Sequence, residues 1–302
     1  MSELKNKNAG YLVLWLLIVV YAISRVLQVF PWGVPMLGVV ALHVIPAAAF
    51  ALIHGTMFYR LRTMLVFCGI CLVVGNIFEN VGVQTGFPYG AYCFTDVMGP
   101  KLLDVPILLG LAYVGMAYLS WTLARLILGI AERPLTASHV VILPLTAAFI
   151  MVAWDFCMDP VWSTILHAWR WLRGGPYFGV PVSNFIGWYL HVYVIYQLFA
   201  LYLRDRSPVA GPLPSNYWRL AILFYSTSAV GNLLLLVPRA DRPAIVLDNA
   251  GSAWKVTDIT AATALSTIFT MVAFALAAWV RLPKRKEEGS LIAISSPRIA
   301  SE

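Results

Sequence analysis

Long apolar runs, each on the order of 20 residues and separated by short polar turns, constrain this chain most strongly. A run of that length crosses the hydrocarbon core of a bilayer as an α-helix, in which the backbone hydrogen bonds are satisfied internally. The chain is therefore predicted to form an all-α, polytopic membrane bundle with about eight transmembrane helices, or seven if one run does not cross. The runs lie near 11–29, 35–58, 63–84, 104–130, 139–158, 184–204, 217–237 and 258–280.

The low charge content excludes an ordinary soluble globule. Only 12% of the 302 residues are charged and 60% are hydrophobic, whereas a soluble domain has roughly twice that charged share. The net charge of +7 does not indicate a nucleic-acid partner, because the basic residues are scattered over short loops. We predict a single transmembrane domain over residues 1–283 and a charged, disordered cytoplasmic tail over 284–302.

The distribution of Lys and Arg predicts the orientation. In an eight-helix chain, 14 of them fall on the side of both termini and 6 on the other side, while Arg25 lies inside the first helix. By the positive-inside rule, both termini are cytoplasmic and the protein is integral to the cell membrane. The loops after the third and fifth helices then face outward or lie in the outer half of the bilayer.

Two carboxyl groups interrupt the fifth apolar run. Asp155 and Asp159 are spaced i and i+4, so they share one helical face about one turn apart. Charge at bilayer depth costs several kcal/mol, or the group stays protonated, and an intramembrane acid is therefore a candidate functional residue. An alternative for Asp159 is that it ends the helix beside Pro160 and faces interfacial water.

A third acid lies at the end of the third apolar run. Asn76, Glu79 and Asn80 form a polar stripe on one helical face, although an interfacial helix end would explain the same pattern. The following loop, residues 86–100, combines turn-forming Gly and Pro with Tyr89 and Tyr92. Its aromatic content predicts a lid over a cavity or a segment lying along the interface.

The segment after Asp159 contains a second aromatic loop. Trp162 and Trp169 are seven residues apart with Arg170 and Arg173 beside them, a pattern typical of an amphipathic segment in the membrane interface. On the second helix, His43 and His54 share a face, and we expect packing or hydrogen-bonding roles for both rather than metal ligation.

This arrangement suggests acid catalysis on an apolar substrate. A protonated acid in a dry aromatic pocket can protonate an alkene, and facing π-systems stabilise the resulting cation. Water then gives hydration, or a neighbouring double bond gives cyclisation. We expect Asp155 to deliver the proton, because its charged form is less hydrated, with Asp159 and Glu79 orienting water and no cofactor or metal required. The expected substrate-binding residues are Tyr89, Tyr92, Trp154, Tyr177, Asn184 and Trp188.

Two further alternatives remain open, one a membrane enzyme and the other from a non-catalytic class. Asp-x-x-x-Asp on one helical face can hold Mg²⁺, as in membrane prenyltransferases that bind a diphosphate. The second acidic motif and the cluster of Lys and Arg that such enzymes use are poorly represented here. A non-catalytic transporter or scaffold could instead use the acids as a proton relay.

A set of linked motifs lies within residues 75–190. They are Glu79-x-x-Gly82, Gly86-x-Pro-Tyr-Gly90-x-Tyr92, Trp154-Asp155-x-x-Met-Asp159-Pro160, Trp169-x-Trp171 and Tyr177-Phe-Gly-Val-Pro181-x-x-Asn184-Phe-x-Gly-Trp188. Together they resemble the membrane carotenoid hydratases, a group that includes the gamma-carotene 1′,2′-hydratases and the bisanhydrobacterioruberin hydratases. The resemblance implies addition of water across the terminal double bond of an acyclic carotenoid end group, within membrane lipid. It also implies a downstream carotenoid glycosyltransferase as a candidate partner.

Overall fold

The computed structural model describes residues 2–206 and 213–283 of the chain, and the predicted tail at 284–302 lies outside this range. Eight segments within it are long and apolar enough to cross a membrane. This confirms the prediction of an all-α polytopic bundle. The helices are α1 (Ser2–Val29), α2 (Met36–Phe58), α3 (Leu61–Thr85), α4 (Ile107–Ile127), α5 (His139–Pro160), α6 (Val182–Leu203), α7 (Ser215–Leu233), α8 (Val256–Thr267) and α9 (Ala273–Val280).

Two of the predicted runs have different boundaries in the structure. The fourth begins at Ile107 rather than near Asp104, because β2 (Lys101–Leu102) and β3 (Val105–Pro106) pair as a short antiparallel hairpin before it. The fifth does not end near residue 158. Pro160 lacks the N–H that an α-helix needs, and the chain continues as a π-helical turn over Val161–Ile165. A second π-helical turn, Ile268–Val272, joins α8 to α9 in the last span.

Helix α4 lies at the centre of the bundle. It packs against α2, α3, α5, α7 and α9, and it is buried along almost its whole length. Small residues allow the closest of these approaches, since a Cβ atom at Gly115 would lie 2.6 Å from Cβ of Ala47 on α2. Such contacts let helix backbones approach closely in lipid, where van der Waals packing drives association.

The loops after α3 and α5 pair with each other. In β1 (Tyr92–Phe94) and the antiparallel strand β4 (Trp169–Trp171), Tyr92 lies opposite Trp171 and Phe94 lies opposite Trp169. Side chains alternate along a strand, so these four rings are buried on one face while Arg170 is exposed on the other. We call this paired structure the aromatic lid.

The lid corrects one prediction. Trp162 and Trp169 do not belong to an amphipathic segment in the interface, since both are buried and the chain between them passes from a π-helical turn into β4. The Trp-Arg-Trp sequence follows the two-residue period of a strand rather than the period of a helix. A second hairpin, β5 (Ile245–Leu247) with β6 (Ala253–Lys255), packs near the π-helical turn on the same side.

Candidate functional site

A cavity of about 690 Å³ opens between α2, α3, α4, α5 and α6 beneath the aromatic lid. We call it the acid cavity. Its wall is apolar and aromatic, with five tryptophans and three tyrosines, and its polar members come from four helices. Those polar residues are His43, Glu79, Asp159 and Asn184, and the rest of the wall includes Tyr89, Tyr92, Phe94, Met98, Leu109, Tyr113, Trp154, Met158, Trp162, Trp169, Trp171 and Trp188.

Asp159 accepts hydrogen bonds from three N–H donors. The Trp169 indole donates to Oδ1 over 2.9 Å and the Trp171 indole to the same atom over 3.3 Å. The Asn184 amide donates to Oδ2 over 2.6 Å. Helix α5 places Asp159 here through its last turn, while β4 brings both indoles back over that turn. The aromatic lid therefore covers the cavity and also donates hydrogen bonds to Asp159.

Asp155, one turn earlier on α5, shares the Asn184 amide with Asp159. Asn184 Nδ2 lies 3.2 Å from Asp155 Oδ2, which joins the two acids through a single donor. Asp155 Oδ1 is buried without a hydrogen-bond partner in the described part of the chain. The i, i+4 spacing thus places both acids on the face of α5 that meets α6, as the sequence predicted.

Glu79 is held by two phenols. The Tyr92 hydroxyl donates to Oε2 over 2.5 Å and the Tyr113 hydroxyl donates to Oε1. Burial raises the pKa of Tyr92 well above its ordinary value, and the nearby Glu79 raises it further. Tyr92 therefore stays a donor at any physiological pH. A third phenol of the cavity wall, Tyr89, has its hydroxyl 2.6 Å from His191 Nδ1.

The three acids have no cationic partner within residues 2–206 and 213–283. The ion pairs in this part of the chain are Lys101 with Asp96 and Arg239 with Asp241, and none of these four residues lines the cavity. Glu79, Asp155 and Asp159 are each at most 3% exposed. Burial of like charges without a compensating cation is costly, so this environment disfavours full ionisation of the three acids.

The structure brings together most of the residues singled out from the sequence. Seven of them line the acid cavity: Glu79, Tyr89, Tyr92, Trp154, Asp159, Asn184 and Trp188. Asp155 joins the cluster through Asn184 but is not part of the wall. Tyr177 is placed elsewhere, since its ring stacks on Phe156 with 4.7 Å between centroids. Partial burial there raises the pKa of Tyr177 to about 12.

Several residues in and around the site were not identified from the sequence. Tyr113 belongs to α4, which carries no acid, yet its hydroxyl donates to Glu79. Trp169 was assigned to the interface, although the alternation of Trp169 and Trp171 around Arg170 was a strand signal that would have placed both indoles on one face. His191, outside the cavity wall, lies on α6 two turns beyond Asn184 and contacts the Tyr89 hydroxyl.

The fold and cavity define a class: a polytopic membrane protein with an acid-bearing, aromatic cavity suited to an apolar ligand. Residues 35–246 match the family model described as "Carotenoid biosynthesis protein". This match covers more than half of the chain, and the protein therefore belongs to that family of carotenoid biosynthesis proteins. The matched range includes the acid cavity and the aromatic lid.

A curated relative is similar over part of its length. The chain is 35% identical over 137 residues to bisanhydrobacterioruberin hydratase of Haloarcula japonica, which covers 43% of this chain and 44% of the relative. The match thus spans less than half of that protein. No solved structure matches the chain.

Proposed function

We propose that this protein is a carotenoid hydratase that adds water across the terminal double bond of an acyclic carotenoid end group. The observation that carries the proposal is the cluster of three buried acids, two of which lie in the wall of an aromatic, otherwise apolar cavity. Membership of a carotenoid biosynthesis family supports the substrate class, and the similarity to a protein named as a hydratase supports the reaction.

The first step is transfer of a proton to the alkene. The Asp155 and Asp159 pair, joined by Asn184, supplies it: an acid O–H bond breaks and a C–H bond forms at the carbon that carries one hydrogen. The π electrons move to that new bond and leave a tertiary cation. Asp159 delivers the proton because it lines the cavity. Asp155, which lies outside the cavity wall, then transfers a proton to Asp159.

The second step is capture of the cation by water. Five indoles and three phenols line the cavity, and their π faces stabilise a cation at this largely apolar site. Glu79, fixed by Tyr92 and Tyr113, holds a water, whose oxygen bonds to the cationic carbon while its proton passes to the carboxylate. The product is a tertiary alcohol, and the acids regain their starting protonation when the proton taken up by Glu79 returns to the aspartate pair.

The donor arrangement fits acid catalysis better than Mg²⁺ ligation. Two indole N–H groups and one amide N–H group point at the oxygens of Asp159, and two hydroxyl groups point at those of Glu79. Donor hydrogens occupy some of the lone pairs that a cation would need. A hard cation prefers oxygen ligands with free lone pairs, so a diphosphate-binding metal site has little support from this geometry.

The surroundings of the site suit a substrate that arrives from lipid. Five of the segments that are long and apolar enough to cross a membrane line the cavity, which supports entry of a polyene from lipid between helices. We place the protein in the cell membrane with both termini cytoplasmic, on the charge asymmetry of its loops. A glycosyltransferase that uses the tertiary alcohol is the corresponding downstream partner.

Pigment analysis tests the proposal. A host that accumulates an acyclic carotenoid should gain a more polar, singly or doubly hydroxylated pigment when it expresses this chain. The purified protein in deuterated water should place one deuterium on the carbon beside the new alcohol carbon. A cyclised product that carries deuterium but no oxygen would reassign the protein as a proton-initiated cyclase. Unchanged pigments, with the protein folded in the membrane, would refute catalysis on carotenoids.

A further inference from the structure

A second cavity lies beside the acid cavity, between the segment that follows α5 and the β5–β6 hairpin. It has a volume of about 230 Å³ and a mostly polar wall. We call it the loop-side pocket. Its wall includes hydroxyl, imidazole, guanidinium, amide and carboxylate groups, which distinguishes it from the apolar wall of the acid cavity. The polar residues are Ser163, Thr164, His167, Arg170, Asp248 and Asn249.

A single residue, Trp171, lines both cavities. Its indole donates to Asp159 over 3.3 Å, the longest of the three donor contacts to that acid. On one side the ring packs against Tyr92, with 5.1 Å between centroids. Rotation of this indole would open the loop-side pocket to Asp159 while Trp169 and Asn184 keep the carboxyl group in place.

Polar groups continue from the pocket to the acid. Ser163 Oγ donates to the backbone carbonyl of Asp159 over 2.8 Å and lies 3.4 Å from Thr164 Oγ1. The outer rim is well ordered, since Asp248 accepts hydrogen bonds from the backbone N–H groups of Ala250 and Ser252 and from the indole of Trp254. The pocket is therefore a built polar chamber rather than a gap between mobile loops.

Hydration needs two substrates of opposite character. A carotenoid end group fits the apolar acid cavity, but water has few polar partners there, and a water molecule needs two to four of them to be held. The loop-side pocket supplies such partners next to Asp159. We propose that the loop-side pocket binds and admits the water substrate, and that Trp171 separates it from the acid cavity until the carotenoid is bound. This inference rests on the proposed hydratase function.

A thiol block at the rim tests the water route. Asn249 is exposed at the mouth of the pocket, and neighbouring Ala250 is exposed but does not line it. Asn249→Cys is treated with methanethiosulfonates of increasing size, and Ala250→Cys is the matched control. The unsubstituted protein, which contains Cys68, Cys71, Cys93 and Cys157, is treated in parallel to account for reaction at its own thiols. Mass spectrometry of the intact protein establishes complete labelling.

Three quantities are measured before and after labelling: formation of the alcohol, deuterium exchange into unreacted carotenoid in deuterated water, and quenching of the cavity tryptophans by bound carotenoid. We expect a benzyl adduct at position 249 to lower alcohol formation roughly tenfold, about 1.4 kcal/mol in activation free energy. Deuterium exchange should fall together with alcohol formation, because the acids exchange with the same water, whereas quenching should persist, because polyene binding does not need the pocket. The adduct at position 250 should leave all three unchanged.

Two outcomes would overturn the inference. In the first, the fully labelled Asn249→Cys protein forms alcohol at its unlabelled rate. In the second, alcohol formation, deuterium exchange and quenching fall together, because the adduct then disturbs the acid cavity itself. Failure of the hydratase function has a different signature, since the untreated wild-type protein would then form no alcohol at all.

Discussion

Two buried polar clusters in this bundle differ in how completely their hydrogen bonds are satisfied. In the first, His54 Nδ1 contacts the Tyr118 hydroxyl over 2.7 Å and Nε2 contacts the Tyr217 carbonyl over 2.8 Å. The two tyrosine hydroxyls also contact each other over 3.1 Å. Every polar atom of the His54 ring has a partner within the bundle, and these residues are not part of the acid cavity wall. Such a network joins helices.

The second cluster, around the acids, is open. Asp155 Oδ1 and His191 Nε2 have no partner within the described residues, and Glu79 and Asp159 line a cavity. Three acidic groups lie together, with no cationic partner among the described residues, an arrangement that helix packing alone would not require. The contrast suggests that an intramembrane polar residue points to function when its site is open and incompletely satisfied, and to structure when it is closed.

The strongest test of the contrast is removal of an acid. Asp159→Asn should lower turnover roughly a hundredfold to ten-thousandfold, the usual loss for a general acid, and abolish deuterium incorporation. Glu79→Gln should lose the alcohol but keep slow deuterium exchange, because alkene protonation survives. Turnover and labelling are measured on purified protein, and thermal unfolding should change little.

Asp155→Asn distinguishes the two members of the pair. If Asp155 recharges Asp159, this variant should complete protonation slowly and show a reduced rate of deuterium incorporation. Loss of incorporation in Asp155→Asn together with normal incorporation in Asp159→Asn would contradict our assignment. It would instead make Asp155 the direct proton donor, as we expected from the sequence because its charged form is less hydrated.

The aromatic wall should contribute less than the acids. Replacing Tyr92 or Trp188 by Leu removes a ring that stabilises the cation, a loss of roughly 1–2 kcal/mol per ring in a desolvated site. Turnover should therefore fall more than protein abundance does. Tyr177→Leu is the matched control, because Tyr177 packs on Phe156 away from the cavity. Equal turnover in all three variants and the wild type would leave these rings as packing or interface residues only.

The closed cluster should show the opposite response. His54→Leu should lower the free energy of unfolding by roughly 1–3 kcal/mol, since it removes the contacts of the His54 ring with the Tyr118 hydroxyl and the Tyr217 carbonyl. Turnover per folded molecule should be retained. His54→Asn can keep the contact at the Nδ1 position and should cost less. Thermal unfolding in detergent measures the stability. If His54→Leu lost turnover but not stability, the His54 cluster would be functional and the two clusters would not differ in role.

The sequence was most informative about features that have a long period or a high energetic cost. The length of the apolar runs was sufficient to predict eight spans. The cost of burying charge identified Glu79, Asp155 and Asp159, which the structure gathers in one cluster. The i, i+4 spacing also predicted correctly that the two aspartates share a face.

Features that depend on long-range pairing could not be derived in this way. Trp169 and Trp171 reach Asp159 only because β4 pairs with β1, about 77 residues earlier in the chain, and no local pattern gives that register. Tyr113 donates to Glu79 from a helix that is apolar around most of its surface. Tyr177 illustrates the opposite error, because a shared motif placed it in the site while the Gly-rich turn directs its ring toward Phe156.

The smallest expected effect is that of chelation. Each carboxyl group that faces the acid cavity already accepts at least two N–H or O–H donors, and these hydrogens oppose approach by Mg²⁺. Turnover of the purified protein should therefore be the same with and without EDTA, and added Mg²⁺ should have no effect. The proposed substrate, a carotenoid hydrocarbon, has no diphosphate that would need a metal, and the proposed mechanism uses the acids only as proton donors and acceptors. Complete loss of activity with EDTA, restored by Mg²⁺ but not by Ca²⁺, would instead make the acid cluster a metal site and favour chemistry of the prenyltransferase type.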